Sequence, residues 1–181
     1  LHYCWNRLLF KLMKVPDLME TKQRKSTHIL LVDDERVALA VIRNGLTVAG
    51  YRCSIAESVD EAAKLLRNAL QPDIVVLDVG MPNKSGLVLA EYLASLSIPF
   101  IMLTAFSDQA TIDQATQFGA LGYLVKPITI KQLIPAIDAA LVRAEEMQQL
   151  KLTEGQLKAA LNGDRDISIA IGITMAKFGV D

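Results

Sequence analysis

Residues 72–86 read PDIVVLDVGMPNKSG. The run from Ile74 to Leu77 is apolar at every position and ends in an acid, Asp78. A short apolar run bounded by turn residues reads as a strand covered on both faces. It is the most apolar of its kind in the chain, which predicts a central place in a sheet. The segment after it, VGMPNKSG (79–86), supplies a loop able to bend around Asp78.

Working outward, the pattern repeats on both sides. ILLVD (29–33), YRCSIAE (51–57), IPFIMLT (98–104) and LGYLVKP (121–127) are further short runs. Between them lie segments with helical spacing at 35–48, 58–70, 86–96 and 108–118, and a long helix begins near Thr129. In 35–48 the apolar positions are Val37, Leu39, Ala40, Ile42 and Leu46. Ser58 followed three residues later by Glu61 reads as a capping box. Strand-like and helix-like segments in strict alternation predict an α/β fold: a doubly wound parallel sheet with helices on both faces. The right-handed crossover rule restricts most of the topology.

In such a sheet the carboxyl ends of the strands form one rim, and that rim holds the site. Asp33 and Asp34 end the first strand, Asp78 the third, Thr104 the fourth and Lys126 the fifth. Three carboxylates crowded there repel one another unless something positive is present. A hard divalent cation such as Mg2+, with Mn2+ as the alternative, meets that need through oxygen ligands. An aspartate can attack phosphorus and form an acyl phosphate. Lys126 would then balance charge on the phosphoryl oxygens, and the Thr104 hydroxyl would donate a hydrogen bond to one of them. Asp78 is the nucleophile candidate, and Asp33 and Asp34 direct the metal. A lone aspartate after a strand is usually a turn or cap residue. The joint placement at successive strand ends is what favours chemistry.

Composition narrows the field. The chain has 181 residues with a net charge of −1, which excludes a uniformly basic nucleic-acid clamp. Its two cysteines, Cys4 and Cys53, form no C-x-x-C pair, and its two histidines, His2 and His28, lie far from the acids. A thiolate or imidazole metal site is therefore not expected. No run of 18 apolar residues is free of charge, so no membrane helix is read and a cytoplasmic location is expected.

The pieces ILLVDDE (29–35), VVLDVGMPNKSG (75–86), IMLTA (101–105) and GYLVKP (122–127), in this order, resemble the receiver domain of two-component response regulators. The resemblance covers 28–142. It implies a flavodoxin-like five-stranded sheet of order 2-1-3-4-5, phosphorylation by a sensor histidine kinase, and Mg2+ in the acidic pocket. It further implies Asp78 as phosphoacceptor, Asp33 and Asp34 as the acidic pair, and the Gly80 carbonyl as a metal ligand. Thr104 would be the switch hydroxyl, Lys126 the site lysine, Tyr123 the aromatic switch, and Pro127 would follow a cis peptide. An aspartyl phosphatase on the same fold would want a general acid two residues after the nucleophile, where this chain has Gly80.

Two segments flank this span. Residues 1–27 carry an amphipathic stretch through Trp5, Leu8, Leu9 and Leu12, ending before Pro16. Lys11 and Lys14 interrupt it, which argues against a signal peptide and for a loosely attached extension. At the other end, 143–181 form a helical extension. Leu133, Ile137, Ala140, Ala144 and Met147 make an apolar stripe that continues through Leu150, Leu157 and Leu161, interrupted by Gly155. Such an edge calls for a partner, and a homodimer through this helix is expected, with packing on its own domain as the alternative. The residues AAL (159–161), Arg165, Ile167, the A-x-G-I-x-M of 170–175 and Phe178-Gly179 resemble the opening of the ANTAR domain. ANTAR domains are RNA-binding antitermination modules. This chain has Ile171 where that family usually has lysine, and it holds the first of the module's three helices. RNA binding is thus expected only with a complete output domain. The 38 residues after Arg143 hold no second recognition helix, so DNA binding by a helix-turn-helix output is not expected. The function expected is a phosphoacceptor regulator linked to antitermination; the alternative is a stand-alone receiver that signals through protein contacts.

Overall fold

The computed structural model describes residues 24, 26–82, 85–105, 113 and 116–178, with side chains through Lys158. Five strands, β1 (His28–Val32), β2 (Arg52–Ala56), β3 (Ile74–Asp78), β4 (Phe100–Thr104) and β5 (Tyr123–Val125), form one sheet of order β2-β1-β3-β4-β5. Every neighbouring pair is parallel. The sheet is therefore the flavodoxin-like one expected, with β3 at its centre. Helices α1 (Arg36–Val48), α2 (Val59–Arg67), α3 (Gly86–Ser95) and α4 (Ile130–Phe178) join or follow the strands. The helix expected over 108–118 lies largely outside the described residues, as does the stretch through Trp5, Leu8, Leu9 and Leu12.

The strands read as unbroken apolar runs because each side of the sheet has its own core. Successive side chains on a strand point to opposite faces. Leu30, Val32, Val75, Leu77, Phe100 and Met102 meet Val59, Ala62 and Leu66 of α2 and Leu89, Ala90 and Leu93 of α3. Their neighbours Ile29, Leu31, Ile74, Val76, Ile101 and Leu103 meet Leu39, Ile42 and Leu46 of α1 and Leu133, Ile137 and Ala140 of α4. At about 25 cal/mol per Å2, this two-sided burial is the main favourable contribution to folding.

Two local expectations are corrected. Val37 and Ala40 do not share the buried face of α1: both are exposed, and the face is Leu39, Ile42 and Leu46. Successive helical residues turn by about 100°, so Val37 falls nearly opposite Leu39. The capping box at α2 is half made. Ser58 Oγ accepts from the Glu61 N–H at 3.2 Å, but the Glu61 carboxylate accepts from the Glu57 N–H at 2.7 Å, one residue before the cap. Gly155, which interrupts the apolar stripe, leaves the helix itself unbroken, since α4 runs on to Phe178. One glycine costs a helix about 1 kcal/mol, an amount the hydrogen bonds of adjacent turns offset.

The chain divides into two compact units, Leu1–Leu141 and Val142–Asp181. This division also splits the apolar stripe of the last helix. Leu133, Ile137 and Ala140 belong to the core of the first unit and offer nothing to a partner. In the second unit Val142, Met147, Leu150, Leu152 and Leu157 are exposed. Side chains from residue 159 onward, which carry the ANTAR resemblance, lie outside the described residues.

Candidate functional site

Parallel register brings the strand ends level. Val32 pairs with Leu77, and Asp78 with Leu103. The residues just past β1 and at the ends of β3 and β4 therefore meet on one rim. There one carboxylate oxygen from each of Asp33, Asp34 and Asp78 lies within 4.8 Å of the others. Asp33, Asp78 and Thr104 are buried, whereas Asp34 is exposed at the mouth.

Each buried carboxylate is oriented by two donors. Asp33 Oδ1 accepts from the Glu35 N–H at 2.9 Å, and Asp78 Oδ1 accepts from the Gly80 N–H at 3.0 Å. Both are contacts to the main chain two residues on, the turn chemistry natural to aspartate. Lys126 Nζ serves the remaining oxygens, at 2.6 Å from Asp33 Oδ2 and 2.9 Å from Asp78 Oδ2. The Lys126 N–H donates to the Thr104 carbonyl at 2.7 Å, which fixes where its side chain starts, and the peptide that follows, Lys126–Pro127, is cis. Burial pulls the Lys126 pKa down. Its hydrogen bonds and charge contacts with Asp33 and Asp78 outweigh that, so the pKa lies above the ordinary lysine value and the ammonium is secure at neutral pH.

The charge balance is uneven. Three carboxylates share one ammonium among the described groups, leaving the pocket strongly negative. Lys126 thus supplies part of the positive charge that the acids call for. The donor set of this cluster is carboxylate oxygen throughout, which suits a hard divalent cation and not a soft one.

The remaining candidates sit around this core. Thr104 ends β4 beside the acids. Gly80 is exposed just past Asp78. Tyr123, at the start of the edge strand β5, is half exposed, and Pro127 is exposed next to Lys126. Two contributors are invisible in residue types: the amides of Glu35 and Gly80. Backbone donors leave no mark in a sequence, apart from the preference of aspartate for such turns.

Comparison with known proteins supplies the family. Residues 29–138 match the family described as "Response regulator receiver domain". The "Transcriptional regulatory protein PdtaR" of Mycobacterium tuberculosis is 34% identical over 155 residues, covering 84% of this chain and 75% of that protein. A CheY-like receiver domain from Methanospirillum hungatei JF-1 superposes with a TM-score of 0.63 at 25% identity, covering 67% of this chain and 98% of that one. A receiver domain from Clostridium thermocellum gives a TM-score of 0.62 at 30% identity, covering 67% of this chain and 98% of that one. A matching family profile, a shared strand order and a rim of acids facing one lysine agree, and the chain belongs to the receiver-domain family of two-component response regulators.

Proposed function

We propose that Asp78 accepts a phosphoryl group from the phosphohistidine of a sensor histidine kinase. The observation that carries this reading is the cluster of Asp33, Asp34 and Asp78, in which Lys126 bridges Asp33 and Asp78. In the transfer an Asp78 carboxylate oxygen bonds to phosphorus while the phosphorus–nitrogen bond breaks and the imidazole leaves. Lys126 and the Thr104 hydroxyl would meet the phosphoryl oxygens. Asp33, Asp34, Asp78 and the Gly80 carbonyl would hold Mg2+, or Mn2+ in its place. The ion supplies charge neutralisation for the transferred group. Thr104 drawn toward the phosphoryl group would vacate space for the exposed Tyr123 ring to turn inward.

Receiver domain 28–142 would pass this signal to 143–181. Support for a transcriptional output comes from the PdtaR match, which at 155 residues is longer than the span 29–138. Resemblance of 159–179 to the opening of an ANTAR domain makes RNA-directed antitermination the specific output proposed, given a complete RNA-binding module. A second reading, signalling through protein contact, is favoured by the exposed Met147, Leu150 and Leu157, which fall on one side of the helix and suit a homodimer. No helix among the described residues is long and apolar enough to cross a membrane.

The test is intact-mass analysis after incubation with acetyl phosphate and Mg2+. A phosphoryl adduct is expected on the native chain and is lost in Asp78→Asn or with chelator. An undiminished adduct in Asp78→Asn would overturn the assignment. Sedimentation over a concentration series, with and without phosphorylation, separates the homodimer from a monomer.

A further inference from the structure

Gly86, the first residue of α3, rests directly on the main chain that carries Asp78. A β-carbon at this position would lie 2.2 Å from the Asp78 carbonyl oxygen, 3.0 Å from the Val79 α-carbon and 3.1 Å from the Asp78 carbonyl carbon. All three are backbone atoms, which cannot rotate aside as the end of a side chain can. The Gly86 N–H donates to the Val79 carbonyl at 3.2 Å. From the other side, the Val79 N–H donates to the Leu103 carbonyl at 2.9 Å, and Asp78 is in register with Leu103. Residues 78 and 79 are therefore gripped between β4 and the start of α3. The next residue, Gly80, gives its N–H to Asp78 Oδ1. The same short backbone stretch thus sets the aim of the acceptor carboxylate.

We infer that Gly86 is a positioning residue for phosphoryl transfer: its missing side chain lets α3 seat against the 78–80 backbone and hold the Asp78 carboxylate toward Asp33, Asp34 and Lys126. The inference rests on Asp78 being the acceptor. With a methyl group at position 86, either the start of α3 or the 79–80 turn must move. The clashing atoms belong to Asp78 and Val79, so relief either shifts that backbone, and the Gly80 amide and carbonyl with it, or pulls the start of α3 away and breaks the Gly86 N–H bond to the Val79 carbonyl. Small displacements of this kind act on rate far more than on fold.

The experiment compares Gly86→Ala with Ala90→Gly in the full chain. Ala90 is buried in the core four residues further along α3, so Ala90→Gly weakens the same helix while adding no atom against the acceptor backbone. Three readouts are taken: melting temperature in chelator, Mg2+ affinity by calorimetry, and the rate of adduct formation at saturating acetyl phosphate. Gly86→Ala is expected to lose about tenfold or more in rate and to bind Mg2+ more weakly, as displaced groups do. Ala90→Gly is expected to melt lower while keeping the native rate and affinity. Native rate and affinity in Gly86→Ala, or equal losses in both variants at equal destabilisation, would overturn the proposal. Should Gly86→Ala fail to fold, Ser85→Ala removes the cap that seats the helix start, where Ser85 Oγ accepts from the Leu87 N–H at 3.3 Å. Weaker Mg2+ binding in that variant supports the positioning role, and unchanged binding defeats it. A native chain that takes no phosphoryl group defeats the acceptor reading instead, while the Mg2+ affinities still decide the role of Gly86.

Discussion

Two charged clusters lie at opposite ends of the sheet, and their balance differs. At the carboxyl ends, Lys126 pairs with Asp33 and Asp78 while Asp34 lies exposed beside them, which leaves an excess of negative charge among the described residues. At the amino ends, Asp138 of α4 faces Arg24, just before β1, and Tyr51, just before β2. Arg24 Nη2 donates to Asp138 Oδ2 at 2.5 Å, the Tyr51 hydroxyl donates to Asp138 Oδ1, and the Arg24 guanidinium lies 5.7 Å from the Tyr51 ring centre. Here the carboxylate is matched by a cation and a neutral donor. A matched cluster joins parts of the chain. An unmatched one keeps unspent charge for a ligand, at a cost to stability.

The largest expected effect tests whether Lys126 is what makes the acidic rim tolerable. Lys126→Met should lower metal-free stability by about 3 kcal/mol, since breaking a largely buried pair leaves uncompensated charge. Mg2+ should restore part of the loss. Urea denaturation with and without chelator measures both, and a neutral effect would mean that the carboxylates do not strain the fold.

Next come two substitutions of opposite sign. Asp138→Ala removes a partly exposed acceptor of two hydrogen bonds and should cost about 2 kcal/mol. Asp78→Asn removes one of the crowded charges and should raise metal-free stability by about 1 kcal/mol. Melting in chelator reads both. A shift of the same sign in the two variants would erase the distinction between the clusters.

The smallest effect lies at alkaline pH. Burial raises the Tyr51 pKa above the ordinary tyrosine value, with the Asp138 hydrogen bond and charge adding to it. The Lys126 pKa is also raised. A group whose folded pKa exceeds its unfolded value contributes stability that is complete below the unfolded pKa, about 10 for both types, and is lost as pH rises through the folded one. Both clusters should therefore hold at neutral pH and weaken only above about pH 10. Ultraviolet titration should show a late tyrosine step that Tyr51→Phe removes. A native chain whose tyrosines all ionise together would contradict the matched cluster.

Much of the acidic rim was legible because it depends on short-range order. Ile74 to Leu77 are apolar without a break since both faces of β3 are covered, and Asp78 follows where the strand must end. The same holds for Leu30 to Val32 and Asp33. Once the strands are parallel, their acidic ends have nowhere to go but one rim. The matched cluster was not legible. Arg24 and Asp138 are 114 residues apart and Tyr51 and Asp138 are 87 apart, and none of the three belongs to a motif. Helical spacing likewise could not say where the stripe through Leu133, Ile137, Ala140, Ala144 and Met147 stops serving the domain core, because periodicity reports a face and not what covers it.

The sequence by itself thus determined the α/β class, the alternation of elements, the receiver family and the rim of acids, because periodicity and strand-end chemistry are local properties. Tertiary structure alone decided that Lys126 already bridges Asp33 and Asp78, that Gly86 must be bare against the Asp78 backbone, and that Asp138 joins Arg24 to Tyr51. Those depend on distances between segments remote in the chain, which only the packed sheet and its two helical layers bring to within a few ångströms.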